Sequence, residues 1–253
     1  MRALSASDLL DIWERGAGRE PVEKALAILI AAFPQAPEDV LARLDFVQRD
    51  LFLLHLRSLT FGSQIRGLAD CPACKQRLEL DFNSRELPAW TVPLTDPQSL
   101  QMPRPASSLR VDNYEITFRL PDSTDLLVIS SIPDPASRRR HLLEACVTSA
   151  THQGQALAPD ELPPRAMQLL GEQISQDHPL ADLSLPVTCP TCSHTWEIIF
   201  DIVSYFWGEI QAWSLRLIHE VHTLAMAYGW RETEILEMSA WRRQHYLEMI
   251  GVR

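Results

Sequence analysis

Two short cysteine motifs constrain this chain more than any other feature of its sequence. Cys71 and Cys74 belong to one Cys-Pro-x-Cys motif, Cys189 and Cys192 belong to a second, and residues 75–188 separate them. Each motif turns tightly enough for both sulfurs to reach one ion, and two motifs supply the tetrahedral thiolate set that zinc accepts. We therefore predict one zinc ion held by all four cysteines. Four thiolates leave no open position for water, so the predicted role is structural.

The residues after each motif support a shared site. An alternation of apolar and polar residues typical of a half-buried strand follows each motif, at residues 78–82 and 196–200. A cysteine pair plus a strand, found twice, predicts a zinc ribbon built from two distant pieces. The gap between the pairs is far longer than the usual ~15–20 residues. Two redox pairs, two disulfides or an iron–sulfur cluster therefore stay open, although neither motif opens a helix as a thioredoxin-type site does.

Hydrophobic periodicity predicts an α+β, mostly helical fold. Helical N- and C-terminal regions are joined through the split zinc ribbon, with a small hairpin-plus-helix insertion. Because the zinc ion would bring the two motifs together, the N-terminal and C-terminal helices should pack against each other. The predicted segments are a helical region (1–66), the first zinc knuckle and strand (67–87), the insertion (88–186), the second knuckle and strand (187–200) and the C-terminal helices (201–253).

The insertion divides further by composition. Residues 88–106 are rich in proline and are typical of an extended linker. Residues 109–120 alternate around a short Asp112-Asn113 turn, which predicts a hairpin. Helices are expected from residues 121, 135 and 164, and residues 149–164 are expected to form a polar loop.

One long helix dominates the predicted C-terminal region. An apolar stripe at helical spacing runs from Phe206 to Tyr228 and predicts a helix over residues 202–228, which Gly229 ends. Trp207, Trp230 and Trp241 lie off this stripe. Because tryptophan often anchors protein interfaces, we predict that these three residues bind a partner.

The net charge and the lack of catalytic motifs limit the classes of function that the sequence allows. The 253-residue chain has a formal net charge of −10 and a pI near 5.3. An acidic chain attracts nucleic-acid phosphate and anionic membrane poorly, so neither partner is expected. No apolar run reaches the ~18 residues of a membrane span, and no secretory signal is evident. A zinc-ribbon nucleic-acid-binding or regulatory protein remains the alternative, whereas an enzyme is disfavoured because no nucleophile can be assigned.

Short motifs along the chain carry a family resemblance. The C-terminal third contains Phe206-Trp207, then Tyr228-Gly229-Trp230, then an Ile-Leu-x-Met-Ser run at residues 235–239 and an Arg-Arg-x-x-Tyr run at residues 242–246. Together with the two Cys-Pro-x-Cys motifs, these runs resemble the T-even-type phage baseplate hub and hub-assembly chaperone family. The similarity is to the branch found in bacterial phage-tail-like contractile injection systems.

The resemblance implies a non-enzymatic part in building a baseplate hub. Its implied partners are the hub or spike proteins of a contractile tail, and its implied place of action is the cytoplasm of the producing bacterium. The resemblance leaves open whether the protein stays in the finished particle. The cysteine motifs are not expected in every member of the family, so the predicted zinc ion depends on the spacing argument.

Overall fold

Helices make up most of the described chain, and small antiparallel sheets lie between them. The computed structural model describes residues 1–87, 90, 107–177 and 184–251. The helices are α1 (Ala6–Gly16), α2 (Pro21–Ala32), α3 (Glu38–Ala42), α4 (Phe46–Phe61), α5 (Ser123–Ser130), α6 (Pro135–Cys146), α7 (Pro164–Asp177), α8 (Ile202–Tyr228), α9 (Glu232–Leu236) and α10 (Ala240–Met249). The strands are β1 (Gln64–Asp70), β2 (Arg77–Asn83), β3 (Ser107–Val111), β4 (Tyr114–Phe118), β5 (Val147–His152), β6 (Gln155–Leu157), β7 (Ser184–Thr188) and β8 (Thr195–Ile199).

The N-terminal helices begin at residues that cap helices or favour their first turn, as the sequence predicts. Ser5 Oγ accepts a hydrogen bond from the Asp8 N–H, and the Asp8 carboxylate accepts one from the Ser5 N–H. This reciprocal pair satisfies two backbone donors that the first turn of α1 leaves unpaired. Pro21 occupies the first turn of α2, where its missing N–H costs nothing, and Asp45 caps α4.

The largest hydrophobic core joins both ends of the chain. Side chains of α1, α2 and α4 pack against the first half of α8, which confirms the expected contact between N-terminal and C-terminal helices. This core explains why α8 is amphipathic, because its inward stripe is covered by three other helices. Its fully or nearly fully buried members include Leu9, Ile28, Leu29, Leu53, Leu54, Ile202, Phe206 and Ile210.

Each cysteine motif forms the turn of a two-stranded antiparallel hairpin, β1–β2 or β7–β8. The expected strands at residues 78–82 and 196–200 correspond to β2 and β8. The strands that precede the motifs, β1 and β7, were not expected, and β1 begins at Gln64 inside the segment expected to be helical. The last N-terminal helix ends at Phe61, and Gly62 follows with φ 91°, a left-handed conformation that suits glycine.

The insertion contains more β structure than the sequence indicates. The expected hairpin is present as β3–β4, but residues 149–164 do not form a polar loop. Strands β5 and β6 extend the hairpin to a four-stranded antiparallel sheet in the order β3-β4-β5-β6. Helices α6 and α7 cover this sheet around a separate core that includes Ile116, Phe118, Met167 and Leu170. Residues 88–89 and 91–106 of the expected linker lie outside the described residues.

A third, small core closes the C-terminus. Helices α9 and α10 pack on the second half of α8 through Leu224, Ile235 and Leu247. Arg243 of α10 is buried and donates to Glu220 of α8 at 2.9 Å, which fixes the two helices together. None of the helices in the described ranges combines the length and the apolar composition that a membrane span needs.

Candidate metal centre

The structure brings the four predicted cysteines to one place. The Sγ atoms of Cys71, Cys74, Cys189 and Cys192 all lie within 4.8 Å of one another. The closest pairs join the two motifs, with 3.7 Å between the sulfurs of Cys71 and Cys192 and 3.6 Å between those of Cys74 and Cys189. The cysteines therefore form one cluster of four, with each hairpin contributing two.

The two cysteine turns have the same backbone geometry. The Cys71 N–H donates to the Gln76 carbonyl, and the Cys189 N–H donates to the His194 carbonyl, both at 2.9 Å. The residue after the second cysteine is left-handed in each turn, with φ 61° at Lys75. In the second turn Ser193 has φ 57°. This shared conformation aims both sulfurs of each turn toward the same point.

The donor set fits a metal ion such as zinc. A zinc ion bound tetrahedrally to thiolates at about 2.3 Å separates neighbouring sulfurs by about 3.8 Å. The observed distances of 3.6 and 3.7 Å agree with that value. A disulfide would instead hold two sulfurs about 2.05 Å apart, and all of these cysteines are free. Cys71 and Cys189 are buried, whereas Cys74 and Cys192 are exposed.

The four sulfurs influence one another's ionisation. Burial raises the pKa of Cys189, but backbone N–H groups of Cys192 and Thr191 outweigh it and lower that pKa to about 6. The backbone at His194 lowers the pKa of Cys192, but burial and the neighbouring sulfurs outweigh it and raise that pKa to about 12. Negative charge on one sulfur therefore opposes ionisation of the next, and a bound divalent cation would remove that penalty.

The hairpins are fastened to the main core at their open ends, away from the cysteine turns. Ile65 of β1 is 1% exposed within that core. Phe82 of β2 meets Phe200 edge to face across the two hairpins, with ring centroids 5.7 Å apart. The Tyr205 hydroxyl of α8 accepts from the Arg66 N–H and donates to the Arg66 carbonyl. A cross-link at the cysteines would therefore join the two hairpins at their turns, while these contacts join them to each other and to α8 at their open ends.

The three tryptophans predicted to bind a partner have different environments. Trp207 is partly buried against Gly16 of α1, and Lys24 Nζ lies 4.8 Å from its ring centroid. Trp230 is partly buried and stacks on Tyr228, with ring centroids 4.4 Å apart. Trp241 is 75% exposed. Their partner binding stays a prediction, and Trp241 presents the most ring surface to solvent.

Sequence reasoning missed two groups of residues that shape or anchor the cysteine hairpins. Lys75 and Ser193 hold the left-handed positions of the turns, and their identical place after the second cysteine was a usable signal. Tyr205 lies on the long helix, and nothing in the local sequence indicates that its hydroxyl binds the backbone of β1. That contact depends on the tertiary arrangement.

The comparisons with known proteins give one match. A family model described as T4 bacteriophage base plate protein matches residues 8–207. The matched range includes both cysteine motifs and ends near the start of α8. No curated protein and no solved structure matches the chain.

Proposed function

This chain belongs to the T4 bacteriophage base plate protein family, and from that membership we propose that it helps to assemble the baseplate hub of a contractile tail. It acts as a hub assembly chaperone or hub component of a phage-tail-like contractile injection system, binds hub or spike proteins and catalyses no reaction. The family match over residues 8–207 is the observation that carries this proposal.

The described polar clusters support a non-enzymatic role, because they connect structural elements. Arg57 of α4 pairs with Glu209 of α8, and Arg243 of α10 pairs with Glu220 of α8. Both arginine side chains are almost fully buried, at 3% and 4% exposed. Such pairs fix helices in place, because a buried charge without its partner is costly.

The four cysteines are proposed to hold one structural zinc ion, and the two hairpins then form a split zinc ribbon. The sulfur separations and the all-thiolate donor set support this assignment. A bound zinc ion would supply a rigid cross-link between the hairpins and no chemistry on a substrate. The cytoplasm of the producing bacterium, where thiols stay reduced, suits thiolate ligation better than disulfides.

The proposed partner-binding surface centres on α10. Trp241, His245 and Met249 follow one another at four-residue spacing on its outer side, which we call the α10 face. Trp241 and Met249 are 75% and 67% exposed, and the His245 ring stacks on Trp241 at 5.3 Å. Exposed tryptophan and methionine suit protein interfaces. Trp207 and Trp230, which are partly buried in the chain's own packing, are weaker candidates.

Deletion of the gene in the producing strain, followed by electron microscopy of particle preparations, tests the assembly role. The expected result is the loss of intact particles, and restoring the wild-type gene should recover them. Normal numbers of intact, contractile particles after deletion would disprove the proposal.

The protein composition of purified wild-type particles distinguishes a hub assembly chaperone from a hub component. A chaperone should be missing from the particle, whereas a hub component should be present at a fixed ratio to the hub protein. Quantitative mass spectrometry of the particle gives that ratio.

A further inference from the structure

A cleft of about 570 Å³ lies between the two cysteine hairpins. It is lined by residues 76–82 of the first hairpin and by residues 185–188, Pro190 and Thr191 of the second. A cleft against one face of a strand would contact only alternate residues. This cleft contacts six consecutive residues of β2, Arg77 to Phe82, so it runs along strand edges rather than along a face. The edges of β2 and β7 therefore form its two sides.

The hydrogen-bond ladder shows which backbone groups border the cleft. The bond from the Cys71 N–H to the Gln76 carbonyl makes these two residues a hydrogen-bonded pair. Such pairs alternate along an antiparallel ladder. In the observed register, Arg77, Glu79 and Asp81 are then non-hydrogen-bonded positions. Their N–H and C=O groups point away from β1 and toward the cleft.

Two other strand edges of these hairpins are less able to pair. At the outer edge of β1, the Tyr205 hydroxyl occupies both backbone groups of Arg66. In the second hairpin, the bond from the Cys189 N–H to the His194 carbonyl makes Pro186 an outward position of β7. Proline has no N–H to offer. The edge of β2 thus provides the more complete set of donors and acceptors.

The charges along β2 favour a basic partner. Arg77 pairs with Asp70 at 3.1 Å, and Asp81 pairs with Arg66 at 3.4 Å. Glu79 is exposed, and in the part of the chain that the structure describes its side chain makes no ion pair. Pairing with a second copy centred on Glu79 would oppose two like charges, which destabilises a strand pair. A different chain carrying lysine or arginine at this position has the complementary charge.

We propose that the cleft binds an extended segment of a partner protein as an added β-strand along β2. The backbone of the segment pairs with Glu79 and Asp81, and a lysine or arginine lies beside Glu79. Apolar side chains at alternate positions contact the half-buried Leu78 and Leu80. Main-chain bonds supply affinity and the side-chain positions supply specificity in this mode of recognition. The proposal rests on the proposed function only for the source of the segment, a tail protein.

An array of short overlapping peptides that covers the tail proteins of the producing strain tests this inference. The full-length protein should bind a small set of peptides in which basic and apolar residues alternate. Glu79→Pro removes one outward N–H together with the carboxylate and should weaken binding at least tenfold, because the hydrogen bond alone contributes about 1.4 kcal/mol. Glu79→Lys should shift selection from basic to acidic peptides.

A matched substitution controls for damage to the fold. Glu197→Pro changes the residue of β8 that faces Pro186 in the register, on an outward position away from the cleft. It should leave peptide binding unchanged. Pro186 itself shows that an outward strand position of these hairpins accommodates proline. Unchanged metal content of each variant checks that the hairpins remain intact.

The outcomes separate this inference from the proposed function. Peptides from hub or spike proteins would support both, and peptides from another tail protein would support the cleft while contradicting the hub as partner. Binding of intact hub protein without binding of any peptide would disprove strand addition in the cleft and leave the proposed function standing. Equal binding by wild type and Glu79→Pro would also overturn it.

Discussion

Arg57 of α4 and Glu209 of α8 form a bidentate ion pair inside the protein. Arg57 Nε lies 2.7 Å from Glu209 Oε2, and Arg57 Nη2 lies 2.5 Å from Glu209 Oε1. The remaining nitrogen of Arg57, Nη1, donates to the Gly62 carbonyl at 2.7 Å. One side chain thus joins the end of α4, the turn into β1 and the first half of α8.

We expect Glu209→Ala to lower the free energy of unfolding by about 3–5 kcal/mol, because it leaves Arg57 charged and buried. Denaturant unfolding measures this change. Replacing both residues by apolar ones, Arg57→Met with Glu209→Leu, should recover most of the loss, because no charge then remains buried.

An exposed ion pair provides the comparison. Arg110 and Glu115 are 81% and 61% exposed, with nitrogen and oxygen 3.0 Å apart. Glu115→Ala should cost less than about 1 kcal/mol, because water screens such a pair. If the two glutamate substitutions cost the same, Arg57 and Glu209 do not have the structural role assigned here.

Metal removal should destabilise the protein. We expect about one zinc ion per chain in purified protein, and its loss to a strong chelator should lower the melting temperature sharply. Cys71→Ser and Cys192→Ser should each reduce zinc content and stability, because structural zinc contributes an apparent ~10–16 kcal/mol in peptides. Elemental analysis and calorimetry on the same samples measure both.

Cys146 serves as the control for the cysteine substitutions. It is buried in the core of the insertion, where burial raises its pKa to about 12, and it is not in the four-cysteine cluster. Cys146→Ser should leave zinc content unchanged. Iron in place of zinc, or metal that survives loss of two clustered cysteines, would contradict the assignment.

Two glycines within helices should respond oppositely to alanine. A Cβ at Gly16 would overlap Cη2 of Trp207, whereas a Cβ at Gly208 would meet nothing within 4 Å. Gly16→Ala should therefore cost about 1–3 kcal/mol through overpacking. Gly208→Ala should stabilise by up to about 1 kcal/mol through helix propensity. Equal effects in thermal unfolding would contradict the close packing of α1 on α8.

Asp8 should make stability depend on pH below 4. The hydrogen bonds from Arg2 lower the pKa of Asp8 to about 2, despite an opposing effect of burial. A depressed folded pKa stabilises the protein above the unfolded pKa, and this contribution disappears as pH falls from about 4 through about 2. Wild type should exceed Asp8→Asn by about 1 kcal/mol at pH 6, a small value because Arg2 is largely exposed.

Comparing the two proteins across pH isolates this carboxylate. The difference in free energy of unfolding should shrink as the pH falls toward 2, while effects of metal release are common to both. A difference that stays constant between pH 6 and pH 2 would show that the Asp8 charge contributes nothing.

Trp241 should matter for binding rather than for folding. Trp241→Ala is expected to change stability by less than about 0.5 kcal/mol, as exposed substitutions usually do, and to weaken hub or spike binding about tenfold or more. Trp230→Ala should instead lower stability by about 1–3 kcal/mol, because its ring packs on Tyr228 and Tyr246. Calorimetric titration with purified hub and spike proteins distinguishes the two variants.

The helices could be predicted because their signals are local. Ser5, Pro21, Asp45 and Ser239 begin helices through bonds or conformations within a few residues of sequence. The apolar stripe on α8 could also be predicted from the sequence. For the helices that cover its first half, the sequence predicted contact with the N-terminal region but not which helices make it. Membership of the baseplate family is confirmed by a match over residues 8–207, whereas the C-terminal motifs lie mostly beyond that range.

The missed strands depend on partners elsewhere in the chain. Strand β5 alternates poorly, and its pairing with β4 stabilises it more than its own composition does. The turn after it, Gln153-Gly154, has positive φ at both residues and was a hairpin signal of moderate strength. The cysteine cluster was predictable from spacing, because its chemistry requires proximity. The cleft was not, because it depends on how two hairpins lie against each other.

The division of the cysteine cluster between two hairpins has a consequence for the timing of synthesis. More than a hundred residues separate Cys74 from Cys189, so at ~5–20 residues per second the second pair of sulfurs is made on the order of ten seconds after the first. The α8 residues that complete the main core, such as Phe206 and Ile210, follow still later. During synthesis, the N-terminal half of the chain therefore keeps two unligated thiols and an exposed apolar surface, the one that α8 later covers, until the chain is nearly complete.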